Sequence, residues 1–411
     1  MSVWDDVVGQ GPVVEQLTAA ARDADALVSH APGAAVAVDS TAGEEPRAAS
    51  RMTHAWLFTG PPGAGRATAA RAFAAALQCV SPDRALGGAP GCGFCDGCHT
   101  TLVGTHADVE VVATDQLSIG VKDTRDLVRR SSMSPAGGRW QVIVLEDADR
   151  LTEGAANVLL KAVEEPAPRT VWLLCAPSVD DVLPTIRSRC RHLTLRTPPV
   201  DAVADVLVRR DGIEPALAAM VARATQGHIG RARRLATDER ARARRAAVLR
   251  LPLQLGDIGG CLKAAQTLVD SATEDAKQVA DETDAKETEE LRAALGASGS
   301  GSRLPRGTAG AMKDLADRQK RRATRTQRDT LDLALTDLAA FYRDVLAVQL
   351  GSTTPIANAE AADAIDRIAS TSRPEHTLRR IEAILACREA LDSNVAPLLA
   401  VEAMTMALRA G

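Results

Sequence analysis

The stretch "GPPGAGRAT", Gly60 to Thr68, carries the glycines of a phosphate-binding loop. In the pattern G-x-x-x-x-G-K-[ST], backbone N–H groups cradle phosphate oxygens, the lysine reaches the β- and γ-phosphates and the hydroxyl ligates magnesium. Gly60, Gly63 and Gly65 keep the loop, but Arg66 stands at the lysine position and Ala67 at the hydroxyl position. Arginine retains the charge, yet its planar fork does not substitute for an ammonium. Thr68 is turned by about 100° around the following helix and points elsewhere. A second segment, "VIVLEDAD", ends in Glu146-Asp147. That reverses the Asp-Glu order in which a strand end offers one carboxylate to magnesium and one to the attacking water, so each starts from a stem of the wrong length. Together these departures predict that the chain binds ATP weakly or not at all and does not hydrolyse it. The plainer alternative leaves Glu146, Asp147 and Asp149 as a solvated strand end.

Cys79, Cys92, Cys95 and Cys98 form the other chemical constellation, spaced C-x12-C-x2-C-x2-C. Glycines within "GCGFCDGCH" allow the tight turns that bring thiolates together. Four thiolates suit tetrahedral zinc, and a closed four-ligand shell leaves no position for catalysis, so the expected role is structural zinc. An iron–sulfur cluster and a set of free surface thiols are the competing readings. His99 adjoins Cys98 and is a substitute ligand or an exposed residue. Cys175, in an apolar run, reads as core, as do Cys261 and Cys387.

The elements that must position these residues follow from the hydrophobic pattern. "HAWLFTG" reads as a buried strand, the glycine loop follows it, and "ATAARAFAAALQC" continues as a helix, which is the context a phosphate loop requires. Further strands are expected over 107–114, 140–149, 170–177 and 192–198, with helices over 11–28 and 153–165. Strands alternating with helices predict a parallel α/β sheet with flanking helices, closed by residue 198. Beyond it the pattern is helical: a small bundle over 199–250, then helices over 251–411. The Ala/Gly/Pro/Ser-rich stretch at about 33–50 reads as a surface insertion. Residues 272–328 are charged and then Gly/Ser-rich; at least the glycine-rich half is expected to be disordered, the acidic half being alternatively a solvated helix.

Composition bounds the rest. A chain of 411 residues with 45% hydrophobic but 2% aromatic residues has material for two or three helix-rich domains. A net charge of −4 argues against a strongly basic nucleic-acid binder. Eight arginines between Arg231 and Arg250 form a local basic run, interrupted by Asp238 and Glu239, that reads as a solvated helix face. No apolar run approaches the roughly 18 residues of a membrane span. The start, "MSVWDDVVGQ", lacks a secretory pattern, so a cytoplasmic protein is expected.

In order along the chain, "VWDDVVGQ", "HAWLFTGPPGAGRAT", "CGFCDGC", "LEDADRLTEGAANVLLKAVEEP" and "LPTIRSRCR" resemble the bacterial clamp-loader subunits, AAA+ proteins of the DNA polymerase III complex. The resemblance covers roughly residues 1–32 and 51–240, and more weakly the C-terminal helices. It implies an AAA+ domain with a zinc module over 1–198, a helical lid over 199–250 and a helical collar over 251–411. Two kinds of subunit share the pattern: a gamma/tau motor with an intact loop, and a delta-prime stator with a degenerate one. Arg66, Ala67 and the inverted Glu146-Asp147 fit the stator. The first sensor position aligns near Ala176, with Ser178 close by, and Arg231 lies near the second. By the same resemblance, Ser188-Arg189-Cys190 supplies an arginine finger, Arg189, to the ATP site of a neighbouring subunit. Its alternative is that Arg187, Arg189 and Arg191 are solvated loop charges. Implied partners are the motor and delta subunits and, through the complex, a sliding clamp and primed DNA. The rival functions are a gamma/tau-type motor with its own ATPase activity and a stand-alone zinc-bearing nucleic-acid-binding protein.

Overall fold

The computed structural model describes residues 2–29, 51–114, 116–137, 139–294 and 309–411; the expected insertion at 33–50 lies outside them. The chain divides into two compact units. The first comprises Met1–Thr114, Ser118–Ala218 and Gly227–Arg231; the second comprises Asp115–Leu117, Ala219–Gln226 and Ala232–Gly411.

The first unit is built on five strands: β1 (Ala55–Thr59), β2 (Val109–Val112), β3 (Gln141–Leu145), β4 (Thr170–Ala176) and β5 (Arg191–Thr194). They lie in the order β2-β3-β4-β1-β5 and all pair in parallel. Each strand expected from the apolar pattern is present, with frayed ends trimmed by a few residues. The central strands are apolar throughout because both faces are covered. On one face Trp56, Phe58, Val142, Val144, Val171, Leu173 and Cys175 pack with Phe73 and the alanines of a helix. On the other, Leu57, Ile143, Leu145, Trp172 and Leu174 pack with Leu127, Leu159 and Val163. Each fully buried side chain of this size contributes roughly 1.5–3 kcal/mol. Trp56 and Phe73 meet edge to face, 5.1 Å between centroids.

Helices α1 (Gly11–Ser29), α2 (Arg66–Gln78), α3 (Asp96–Val103), α4 (Val121–Ser131), α5 (Glu153–Glu164), α6 (Pro184–Arg187) and α7 (Val200–Asp211) complete the connections. The helices expected over 11–28 and 153–165 are α1 and α5. Thr152 caps α5, its hydroxyl accepting from the Ala155 N–H at 3.3 Å. No helix is expected from the sequence at α4, which is amphipathic but buries few residues, Thr124, Leu127 and Ser131.

Beyond these, α8 (Pro215–Ala224), α9 (Ile229–Thr237), α10 (Glu239–Arg250), α11 (Ile258–Ala294), α12 (Ala309–Gln349), α13 (Ala362–Thr371), α14 (Pro374–Asp392) and α15 (Pro397–Ala410) are all helical. The second unit's core gathers Leu335, Leu338, Phe341, Tyr342, Ile384 and Val401, with Cys261 and Cys387 inside it as expected. The segment expected to be disordered over 272–328 is helical where described, up to Ala294 and again from Ala309. The acidic end of α11 takes its solvated-helix alternative because α12 supplies a basic partner. Arg322 bonds to Asp284 and, at 2.7 Å, to Glu287, while the Gln319 amide donates to the Asp284 carbonyl at 3.1 Å. Ala272, Ala276, Ala280 and Leu315 are buried there. Residues 295–308 lie outside the described residues. No helix among those described is long and apolar enough to cross a membrane.

The basic run holds a correction. Arg245 is not on a solvated face; it is 7% exposed and reaches Asp337 at 3.4 Å, Glu360 and the Asn358 side-chain oxygen. The Asn358 backbone and amide N–H groups both donate to Asp344 at 2.8 Å. Removing one member of such a network leaves buried charge uncompensated, at a cost of about 3–5 kcal/mol. Arg245→Ala is therefore expected to lower the denaturant midpoint of the protein, whereas Arg240→Ala, at an exposed position of the same helix, is expected to leave it within experimental error. Equal midpoints for the two variants would contradict the structural weight given to Arg245.

Candidate functional site

The glycine loop connects β1 to α2 as the sequence requires. Gly63 and Gly65 adopt the left-handed conformation, with φ of 86° and 87°. A side chain at Gly60 would lie 2.5 Å from the Leu195 carbonyl, so the loop backbone and the chain leaving β5 meet directly. Gln10 fastens the same junction: its amide donates to the carbonyls of Arg196, at 2.5 Å, and Ala64, at 3.3 Å, and its oxygen accepts from the Arg196 N–H. Nothing local in "VVGQ" announces a bond to residues 186 positions away.

The groups that replace the usual phosphate chemistry are engaged within the chain. The Arg66 guanidinium donates back to the Gly60 carbonyl. Glu146 pairs with Arg71 of α2 at 2.6 Å. Asp147 accepts from the Thr114 N–H at 2.9 Å. Burial raises the Asp149 carboxyl above its ordinary range. Ala67 and Thr68 fall in the first turn of α2, and Ala67 brings no hydroxyl to the loop.

His228 covers the loop from outside, a contact no sequence pattern indicates. A Cβ built on Gly63 would stand 2.4 Å from the His228 ring, so the imidazole packs against bare backbone. Burial, then the charges of Arg231 and Arg66, push His228 down to about 4. Its Nδ1 accepts from the Arg231 N–H at 3.3 Å, which fixes the turn into α9. At the position expected for the first sensor, Ala176 is buried at the end of β4, and the nearby Ser178 hydroxyl accepts from the Asp180 N–H to cap a short turn.

Ser188, Arg189 and Cys190 follow α6 and precede β5. Arg189 donates to the Thr185 carbonyl at 2.8 Å and to the Ser188 hydroxyl at 3.0 Å, and pairs with Glu164 at 2.6 Å. Its side chain remains 40% exposed. Cys190 is half-buried and its thiol is pushed up to about 12 by that burial, so it packs rather than reacts. The two flanking arginines are also held. Arg187 pairs with Asp180, and Arg191 lies over the Trp56 ring at 5.0 Å while donating to the Arg51 carbonyl.

The four cysteines converge as expected: the Sγ atoms of Cys79, Cys92, Cys95 and Cys98 all lie within 4.8 Å of one another. Cys79 ends α2, Cys95 caps α3 and Cys98 lies in its first turn. The glycines are needed here for space: a Cβ on Gly97 would fall 1.9 Å from the Gln78 carbonyl. The donor set fits a metal. A tetrahedral shell of sulfurs at about 2.3 Å from the ion requires S–S spacings of roughly 3.8 Å, and Cys95 and Cys79 stand 3.9 Å apart. Backbone N–H groups of Val80 and Cys95 aim at the Cys95 and Cys92 sulfurs, at 3.3 and 3.4 Å, as they do for thiolates. The hydrogen bond from Cys98 holds Cys79 far below the ordinary thiol range and raises Cys98 in return. His99 is exposed on α3 and outside the cluster.

Comparison with known proteins points in one direction. Residues 44–199 match the family described as DNA polymerase III, delta subunit, and residues 326–406 match DNA polymerase III, delta subunit, C terminal. The gamma/tau subunit of Mycobacterium tuberculosis is 35% identical over 162 residues, 39% of this chain and 27% of the relative. The delta′ subunit of Pseudomonas aeruginosa is 37% identical over 169 residues, 41% of this chain and 50% of the relative. That of Bacillus subtilis is 31% identical over 201 residues, 49% and 59%. The chain thus spans between about a quarter and three fifths of the lengths of these relatives. Among solved structures, a gamma subunit-related protein from Thermotoga maritima aligns with 86% of this chain and 93% of its own, at 14% identity and a TM-score of 0.39.

Two outcomes are expected from this geometry. Protein purified without chelator is expected to carry about one divalent ion per chain, and Gly97→Ala to lose most of it, because its Cβ displaces α3 from the end of α2; equal metal content in the two proteins would contradict that packing. The second concerns His228, whose folded value of about 4 lies below its unfolded value of 6.5. The unfolded state then binds the proton first, so stability present above 6.5 falls as pH drops from 6.5 towards 4. His228→Leu is expected to flatten that part of the stability–pH curve, read as denaturant midpoints; an unchanged slope would count against the burial of the ring.

Proposed function

We propose, on the premise that this chain belongs to the bacterial DNA polymerase III clamp-loader AAA+ family that includes delta, delta-prime and gamma/tau subunits, that it is the delta-prime stator of that complex. In this reading it helps the assembly open a sliding clamp and place it on primed DNA during replication. Its partners are the gamma/tau motor and delta subunits, and it works in the cytoplasm as part of a polymerase holoenzyme. Residues 1–198 form the ATPase-like domain, 199–250 the lid and 251–411 the collar that assembles with the other subunits. Cys79, Cys92, Cys95 and Cys98 hold a structural zinc ion, closed to catalysis by its four thiolates.

The observation that carries the reading is that the residues standing in place of the nucleotide machinery are bonded within the chain. Arg66 turns back on Gly60, and Glu146 is taken by Arg71. A loop whose cation and carboxylate are satisfied internally has little to offer Mg-ATP, so this chain binds nucleotide weakly or not at all. Arg189, by contrast, stays partly exposed. A guanidinium inserted beside a neighbour's γ-phosphate stabilises the charge of the transition state, an effect worth roughly 10³–10⁵ in rate in other nucleotidases. The chain therefore acts in trans where it no longer acts in cis.

One observation favours a second reading, a gamma/tau-type motor: identity to the gamma/tau relative, 35%, is close to that of the delta′ relatives. The stand-alone nucleic-acid binder is less well supported. Among the arginines of the basic run, Arg242 caps α9 through the carbonyls of Leu235 and Ala236, Arg244 pairs with Asp275, and Arg245 is buried.

The isolated chain is expected to show no ATP turnover above background. Turnover that disappears in Glu146→Gln would establish the motor reading instead. In the complex reconstituted with motor and delta subunits, Arg189→Ala is expected to leave assembly intact and to reduce ATP turnover. An unchanged rate would remove the trans role.

A further inference from the structure

Arg189 is not simply an exposed arginine on a loop. Three acceptors hold its guanidinium: the Thr185 carbonyl and the Ser188 hydroxyl on one terminal nitrogen, and the Glu164 carboxylate, at 2.6 Å, on the other. The first two come from its own turn. Glu164 alone comes from a different element, the last residue of α5. A carboxylate there meets the negative end of the helix dipole, where a cation is the favoured charge. The arrangement becomes favourable only with a guanidinium against it. Helix α5 starts just after the β3 end that carries Glu146 and Asp147 and runs for 12 residues, about 18 Å, to the Arg189 contact.

Resting on the stator reading above, we propose that Glu164 is the positioning residue for Arg189, setting the direction in which the guanidinium is presented to a neighbouring subunit's nucleotide. Bonds to its own turn fix how far the side chain extends, and the bond to α5 fixes the plane of the fork. With both ends of the fork anchored, Arg189 keeps one terminal N–H and its Nε–H for an incoming phosphate oxygen. Both partners of the pair are over a third exposed, 40% and 36%, so Glu164 steers the finger rather than locking it. A γ-phosphate, with higher charge than a carboxylate, draws the guanidinium forward without a large barrier.

The test uses full-length chains in the reconstituted complex, with incorporation of each variant quantified and ATP turnover resolved into kcat and KM. Arg189→Ala is the reference and is expected to lower turnover at the adjoining site by two orders of magnitude or more, roughly the range of known arginine fingers. Glu164→Ala is expected to lower kcat about twofold to fivefold, the scale of an exposed pair, with KM for ATP unchanged, because the finger acts in the transition state. Glu164→Gln, whose amide oxygen still accepts the bond, is expected to recover most of that loss. A purely structural role would lower incorporation and leave the kcat of assembled complex untouched. If Glu164→Ala does not assemble, Glu164→Asp replaces it: its carboxylate stops one methylene short, so the same drop in kcat is expected, and full activity overturns the proposal. Normal kcat in Glu164→Ala alongside a loss in Arg189→Ala overturns the positioning role while leaving the finger intact. No loss in Arg189→Ala overturns both.

Discussion

The first unit is tied together at a place where the chain packs against bare glycine backbone. Gly60 admits the Leu195 carbonyl, Gly63 admits the His228 ring, and Gly227 admits the Pro198 carbonyl, to which any Cβ there would stand 2.3 Å away. Gln10 ties the same point to the N-terminal segment. The glycines of a phosphate loop ordinarily leave room for phosphate. Here they leave room for the protein itself. Arg66 keeps a bond to this same loop, at the Gly60 carbonyl, while Ala67 brings no hydroxyl to it.

Much of this was legible in the sequence, for reasons that can be assigned residue by residue. Strands β1, β3 and β4 are nearly continuous apolar runs because a parallel sheet is covered on both faces. The four cysteines converge as their spacing requires. What escaped is long-range. His228 meets Gly63 and Gln10 meets Arg196 across most of the unit, and neither carries a local mark. Arg245 sits in a run of arginines whose composition signals solvent, yet Asp337 and Asn358, more than 90 residues on, draw it inside. The acidic end of α11 looks unable to fold alone; its partner on α12 had to be known first.

The two candidate sites divide the labour of charge in opposite ways. At the loop, the Arg66 guanidinium is taken by the Gly60 carbonyl and Glu146 by Arg71, so each has a partner within the chain. At the cysteine cluster, four sulfurs lie within 4.8 Å of one another and two backbone N–H groups aim at them, a donor set that fits a cation. The charged groups at the start of α2 have partners within the chain, while the sulfurs at its end form a donor set that fits a metal ion.

The acid–base pairing of α11 with α12 has a consequence in time. Arg322 and Asp284 are 38 residues apart. A ribosome adding roughly 5–20 residues per second leaves the acidic helix without its counterpart for about 2–8 s. During that interval a run rich in Asp and Glu trails from a nascent chain whose finished form, at a net charge of −4, gives no hint of it. Until Arg322 is made, the acidic side chains of Asp284 and Glu287 lack the guanidinium that pairs with them in the finished structure.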